Sequence, residues 1–124
     1  MKVLLLTLSM LIALPLARES SFDEVIRAIK SGHADEIARY FDNSVEITLP
    51  EKSNSYSKSQ AEMVMREFFI RNAVRDFDVI HQSEKSASQY CIGNLSTGGG
   101  VYRTTIYMKQ KGNKQVIQEL RFEK

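Results

Sequence analysis

From Asp76 to Lys124 the chain reads as four consecutive strands with connections too short for anything but antiparallel neighbours. The strand-like segments are Phe77 to Ser83, Ser88 to Thr97, Val101 to Lys109 and Gln115 to Glu123. Glu84-Lys85-Ser86, Gly98-Gly99-Gly100 and Lys111-Gly112-Asn113-Lys114 join them. Everything helical comes before this meander. Ser21 and Glu24 stand at the spacing of a capping box, followed by Phe22, Val25, Ile26 and Ile29 on one helical face, with Gly32 placed to close the helix. A shorter helix from Ala34 to about Tyr40 presents Ile37 and Phe41, and Asp42-Asn43 forms a turn. Val45, Ile47 and Leu49 alternate with polar residues as an early strand that Pro50 stops; residues 51–56 are polar and read as a loop or short hairpin. Ser57 and Gln60 open a third helix, whose apolar side carries Ala61, Val64, Met65, Phe68 and Phe69 and which ends near Asn72. Helices first and an antiparallel meander after, with the early strand added at an edge, predict an α+β fold. In the second meander strand Tyr90 and Ile92 share a phase that Leu95 breaks. Gly93 between them predicts a bulge that bends the sheet into a cup around the helices.

The first seventeen residues say where the chain goes. Lys2 precedes an apolar run from Val3 to Leu14, and Pro15-Leu16-Ala17 ends on a small residue before Arg18. This order predicts a secretory signal peptide over residues 1–17 and a single mature domain over 18–124. The run is too short to span a bilayer. The formal net charge of the whole chain is +2, and removal of Lys2 brings the mature domain closer to balance, which argues against nucleic acid as a partner. Cys91 is the one cysteine, so no internal disulfide forms. It is expected to be a small buried residue. An exported chain without disulfides fits a Gram-negative bacterial envelope, periplasmic or extracellular.

Several stretches resemble known families. They are Ala28-Ile29-Lys30-Ser31-Gly32, Arg39-Tyr40-Phe41-Asp42 and Tyr56-Ser57-Lys58-Ser59-Gln60-Ala61-Glu62, then Ile80-His81-Gln82 and Tyr90-Cys91-Ile92-Gly93-Asn94-Leu95, and finally Ile117 to Lys124. Together with the element order, they resemble a family of small secreted proteins of unknown function from Gram-negative bacteria, within the nuclear-transport-factor-2-like superfamily. The resemblance implies a cone-shaped α+β domain with its N-terminal helices packed in the concavity of a bent antiparallel sheet. It implies no activity, because that superfamily holds isomerases, dehydratases, ligand binders and interaction domains alike.

The candidate site residues are few. Regular alternation from Phe77 and Val79 puts His81 on the concave face, where an imidazole among apolar side chains is either a hydrogen-bonded packing residue or a general base. Tyr40, Tyr90 and Tyr102 are candidate pocket walls, with ordinary core packing as the plainer reading. Gln118, in phase with Val116, Leu120 and Phe122, is a polar amide that needs a partner, internal or bound. Asp42 reads as turn chemistry and Glu46 as the solvent side of a strand. His33 and Asp35 have no second His or Cys cluster to complete a metal site, and the three glycines lack the Lys-Ser/Thr of a phosphate loop. No metal or other cofactor is therefore expected. Tyr102, Ile106 and Met108 lie on one side of the third meander strand and Val101 and Tyr107 on the other, so large residues occur on both faces; this predicts a homodimer through the sheet.

The resulting expectation is an exported, non-catalytic domain that binds a small apolar ligand or a partner protein in or near the cup, through His81, Tyr40, Tyr90, Tyr102 and Gln118. The alternatives are a proton-transfer enzyme, an isomerase or lyase with His81 as base, and a purely structural homodimer whose cup is filled by its own side chains.

Overall fold

A computed structural model of the protein describes residues 20–85 and 87–124; the expected signal peptide over residues 1–17 lies outside them. Helix α1 (Ser21–Ser31) starts one residue earlier than the capping pair implied. Ser20, not Ser21, is the N-cap, and its side chain accepts from the Asp23 amide at 3.2 Å. Gly32 ends the helix at φ 70°, and its amide donates to the Ile29 carbonyl at 3.1 Å. The short α2 (Ala34–Ala38) follows, then β1 (Phe41–Leu49) and β2 (Lys52–Ser57), so the polar stretch after Pro50 is the second arm of a hairpin. Helix α3 (Lys58–Arg71) opens with the full capping box of Ser57 and Gln60. Four strands complete the chain: β3 (Val74–Glu84), β4 (Ser88–Thr97), β5 (Gly100–Lys111) and β6 (Lys114–Glu123).

All six strands form one sheet in the order β2-β1-β6-β5-β4-β3. Every pairing is antiparallel except β1 with β6, where the early strand joins the meander from the far end of the chain. The three helices cover one face. Phe22, Val25 and Ile29 of α1 and Met65, Phe68 and Phe69 of α3 join Leu95, Ile106, Met108, Leu120 and Phe122 of the sheet in a single core. Phe68 stacks on Phe122 with ring centroids 4.6 Å apart and meets Tyr102 edge-on at 5.2 Å.

The bulge lies on the opposite strand from the one expected. In β4 the residues Cys91, Gly93, Leu95 and Thr97 are buried in unbroken alternation. Tyr90 and Ile92 face outward with the polar residues, so there is no phase slip in that strand. The irregularity is in β3, where Val79 pairs with Gly93 and His81 with Ile92, leaving Ile80 as the extra residue. Sheet side chains have a period of two, so one inserted residue sends everything after it to the other face. Phe77 and Val79 point into the core; His81 does not.

Candidate functional site

The bulge at Ile80 decides the fate of the sharpest sequence candidate. His81 is exposed on the outer face of the sheet, a correction to its expected place in the cup. There its Nε2 lies 2.8 Å from the Tyr90 hydroxyl, with ring centroids 5.5 Å apart. Two of the candidates are thus brought together, but on the side away from the helices. Among the described residues no carboxylate pairs with His81, so its ring lacks the orienting acid that a general base ordinarily has.

The other candidates disperse. Tyr102 is buried on the concave side, and its hydroxyl donates to Asn72 Oδ1 at 2.8 Å, while the Asn72 amide donates to the Phe68 carbonyl at 3.1 Å. Lys124 stands over the Tyr102 ring at 5.2 Å from its centroid. Here, between the β1–β2 turn and the end of α3, lies a pocket of about 90 Å³, edged by Leu49, Pro50, Arg71 and Tyr102. Tyr40 is half-buried at the other end of the fold, and its hydroxyl donates to Glu24 of α1.

Gln118 is also displaced from the face its phase implied. Tyr107 pairs with Glu119 and Met108 with Ile117, which leaves Gln118 as the bulge residue of β6. At the same level β1 loses register with β6 between Phe41 and Glu46. Across this gap Gln118 Nε2 donates to Asp42 Oδ2 at 3.2 Å. Asp42 also accepts from Lys111 Nζ at 2.8 Å and from the Asn43 amide at 2.8 Å, with its side chain only 11% exposed. Chiefly the Lys111 ammonium, helped by the Asn43 and Gln118 donors, holds the Asp42 carboxyl below the usual carboxylate range, against the opposing effect of burial. In the sequence alone Asp42 reads as plain turn chemistry. Its partners stand 69 and 76 residues away, and no local pattern announces them.

What the outer face does present is a continuous row of rings and aliphatic groups. Ladder pairing sets Tyr90 beside Tyr107 and Ile92 beside Thr105, with His81 next to Ile92. All but the exposed His81 are half-buried by their neighbours, while Val101 is 56% exposed and Ile80, at the bulge, 60% exposed. Charges of both signs frame them. Arg121 lies 3.5 Å from Glu119 and 3.2 Å from Glu123, and Arg103 pairs in register with Glu123 on one side and Asn94 on the other.

The reactive inventory is thin. Among the described residues no group of three or more His, Cys, Asp or Glu side chains is placed to hold a metal ion. Cys91 is buried, as expected, and burial raises its thiol to about 11, so it is not a thiolate at neutral pH. A more open cleft, about 620 Å³, runs between α2, the start of β1 and the first turn of α3; its charged lining mixes Asp35 and Glu62 with Arg39 and Lys58. Among the described residues no helix is long and apolar enough to cross a membrane.

Comparison with known proteins agrees with the fold and is silent on chemistry. The model of a family described as a domain of unknown function (DUF4783) matches residues 22–123. No protein of curated function matches the chain. A DUF4783 family protein from Bacteroides uniformis is 32% identical over 85% of this chain and 97% of its own, with a TM-score of 0.82. One from Bacteroides ovatus is 33% identical over 82% of this chain and 92% of its own, with a TM-score of 0.78. An NTF2-like protein of unknown function from Cytophaga hutchinsonii is only 11% identical over 82% of this chain and 83% of its own; its TM-score of 0.59 marks a shared nuclear-transport-factor-2-like fold and nothing more.

Proposed function

The chain belongs to the DUF4783 family of domains of unknown function, and we propose that it is an exported, non-catalytic domain that acts by recognising a partner through the outer face of its sheet. One observation carries this reading: the concave side is occupied by the protein's own side chains, and the apolar groups left uncovered lie on the other side. Phe22, Met65, Leu95, Ile106 and Phe122 are fully buried where a cup-bound ligand would sit. Tyr90, Ile92 and Tyr107, with the exposed Ile80 and Val101, remain available outside. A sheet needs one apolar face to make a core, and apolar groups on the second face favour a partner. The recognition surface therefore moves from the cup to its back, taking His81 and Tyr90 with it. His81 contributes contact area and a hydrogen bond there, not proton transfer.

Export rests on the Lys2-to-Ala17 pattern, and the single Cys91 leaves the exported domain without an internal disulfide. Native mass spectrometry of the protein isolated from the cell envelope tests both parts at once. The expected mass is that of a chain beginning near Arg18, with no small molecule retained. A retained apolar ligand would restore the cup as the binding site, and an intact Met1 would remove the export reading.

A further inference from the structure

We propose that the open cleft between α2 and α3 binds a short zwitterionic peptide, with its carboxylate held at one end and its ammonium group at the other. This site is separate from the outer face of the sheet and does not rest on it.

Unpaired charge is the first argument. The cleft, about 620 Å³, carries Asp35 and Arg39 on its α2 wall and Lys58 and Glu62 on its α3 wall. Each pair has the i, i+4 spacing at which opposite charges on a helix meet, and an acid before a base, as in Asp35 and Arg39, is the favoured order. Yet neither pair closes, and among the described residues no hydrogen bond or ion pair engages any of the four side chains. Nearby, His33 and Glu36 do meet, at 3.5 Å. Two acids and two bases left open around one hollow suit a ligand that brings both signs. A purely cationic or purely anionic ligand would be repelled by half of them.

Placement is the second argument, because the fold sorts these charges by end. Ser44 pairs with Ser57, so the start of β1 lies beside the start of α3. Arg39 leads into β1 through Tyr40, which brings it to the Lys58 end of the cleft. Asp35 stands a turn back along α2 and also borders a smaller hollow with Arg66 and Phe69, farther along α3. The two helices therefore run in opposite directions, and Asp35 falls toward Glu62. One end of the cleft is basic, with Asn43, Ser57 and Ser59 as further hydrogen-bonding groups, and the other is acidic. About one helical turn, roughly 5.4 Å, separates them. Two residues of extended peptide span up to about 7 Å, so a dipeptide reaches both ends where a single amino acid falls short. Ala38 adds only a methyl group to the lining and leaves room for the peptide backbone.

Chemical-shift titration of the mature chain with Ala-Ala, followed at the backbone amides of Arg39 and Ser59, tests the inference. Ala-Ala should bind with a dissociation constant on the order of 1 mM, and more weakly at high salt, because its partners lie in an open, solvated cleft. Such a ligand exchanges fast and is not retained through isolation. N-acetyl-Ala-Ala, Ala-Ala amide and alanine should each bind at least about fivefold more weakly than Ala-Ala. Arg39→Gln should shrink the preference for a free carboxylate and spare that for a free ammonium group, and Glu62→Gln should do the reverse. Asp35→Asn, at an exposed position, takes the place of the second variant if changing the half-buried Glu62 lowers the thermal midpoint. The inference is overturned if Ala-Ala gives no shifts up to about 50 mM, or if the capped forms or alanine bind as tightly as Ala-Ala. It is overturned equally if each variant loses both preferences alike, or neither.

Discussion

At Gly93 an added Cβ would stand 2.6 Å from the Phe77 ring and 2.7 Å from the Asp78 carbonyl oxygen. The glycine is required by this close approach and not by its own dihedrals, since among the described residues positive φ occurs at Gly32, Gly100 and Gly112 and not at Gly93. It lets the buried Phe77 ring come close against β4 just before the bulge at Ile80. Gly93→Ala must push back a packed ring and a strand carbonyl. The expected cost is about 2 kcal/mol, the range of overpacked cores, read as a lowered denaturation midpoint with an unchanged slope; an unaltered midpoint would show that β3 yields freely. Asp42 is the second position where a single side chain holds distant elements together. Its carboxyl is depressed in the folded state by Lys111, so its contribution is fully present above the ordinary carboxylate value of about 4 and is lost as pH falls through the lowered folded value. Asp42→Asn should lower stability at pH 7 by about 1 kcal/mol, the scale of one exchanged charged hydrogen bond. The gap between the two proteins should narrow as the pH falls through the lowered folded value. Urea denaturation of both at a series of pH values reads this directly, and a gap that persists in acid would mean the loss is one of packing and not of charge.

Secondary structure was largely legible because its signals are local. The capping box of Ser57 and Gln60, the left-handed Gly32 and the span of β4 from Ser88 to Thr97 all stand where pattern put them. The first helix shows the resolution of such signals. Ser20 and Ser21 are adjacent hydroxyls, and a one-residue choice between them cannot be made from spacing alone. Strand β2 reads equally as loop or hairpin in the sequence because an edge strand with both faces wet needs no apolar alternation; its residues are almost wholly exposed. The candidate site was much less legible, and the cause is the register of two strands. Ile80 in β3 and Gln118 in β6 are single inserted residues, each visible only from the partner strand. The first moved His81 from the inside to the outside, and the second turned Gln118 toward Asp42. In β4 the sequence points to the wrong set of residues as the inward one, because Tyr90 and Ile92 look more like core than Cys91 and Gly93 do. Cysteine and glycine are in fact the inward pair, since Phe77 already fills the space beside Gly93.

At the scale of the whole molecule, one sheet serves two surfaces, and how the concave one is filled decides how the protein works. A cone of this fold encloses a ligand when its interior side chains are too few or too small for the space between helix and sheet. In this chain Phe22 from α1, Met65 and Phe68 from α3, and Phe122 from β6 meet across that space, and the largest of them are fully buried. Close packing of this kind leaves the interior dry and gives stability to the fold, not room to a guest. Phe122 is the most informative position, because its ring stacks on Phe68 from the last strand of the chain and so ties the C-terminus to the central helix. Phe122→Ala is expected to cost about 3–5 kcal/mol, the range for removing a buried aromatic ring and leaving a cavity. If the variant survives, it should acquire an affinity for small apolar molecules such as benzene that the wild type lacks, seen as a rise in thermal midpoint on adding the ligand to the variant alone. A wild type stabilised by the same molecules to the same extent would mean that the cone already has an open interior, and that the function belongs inside it.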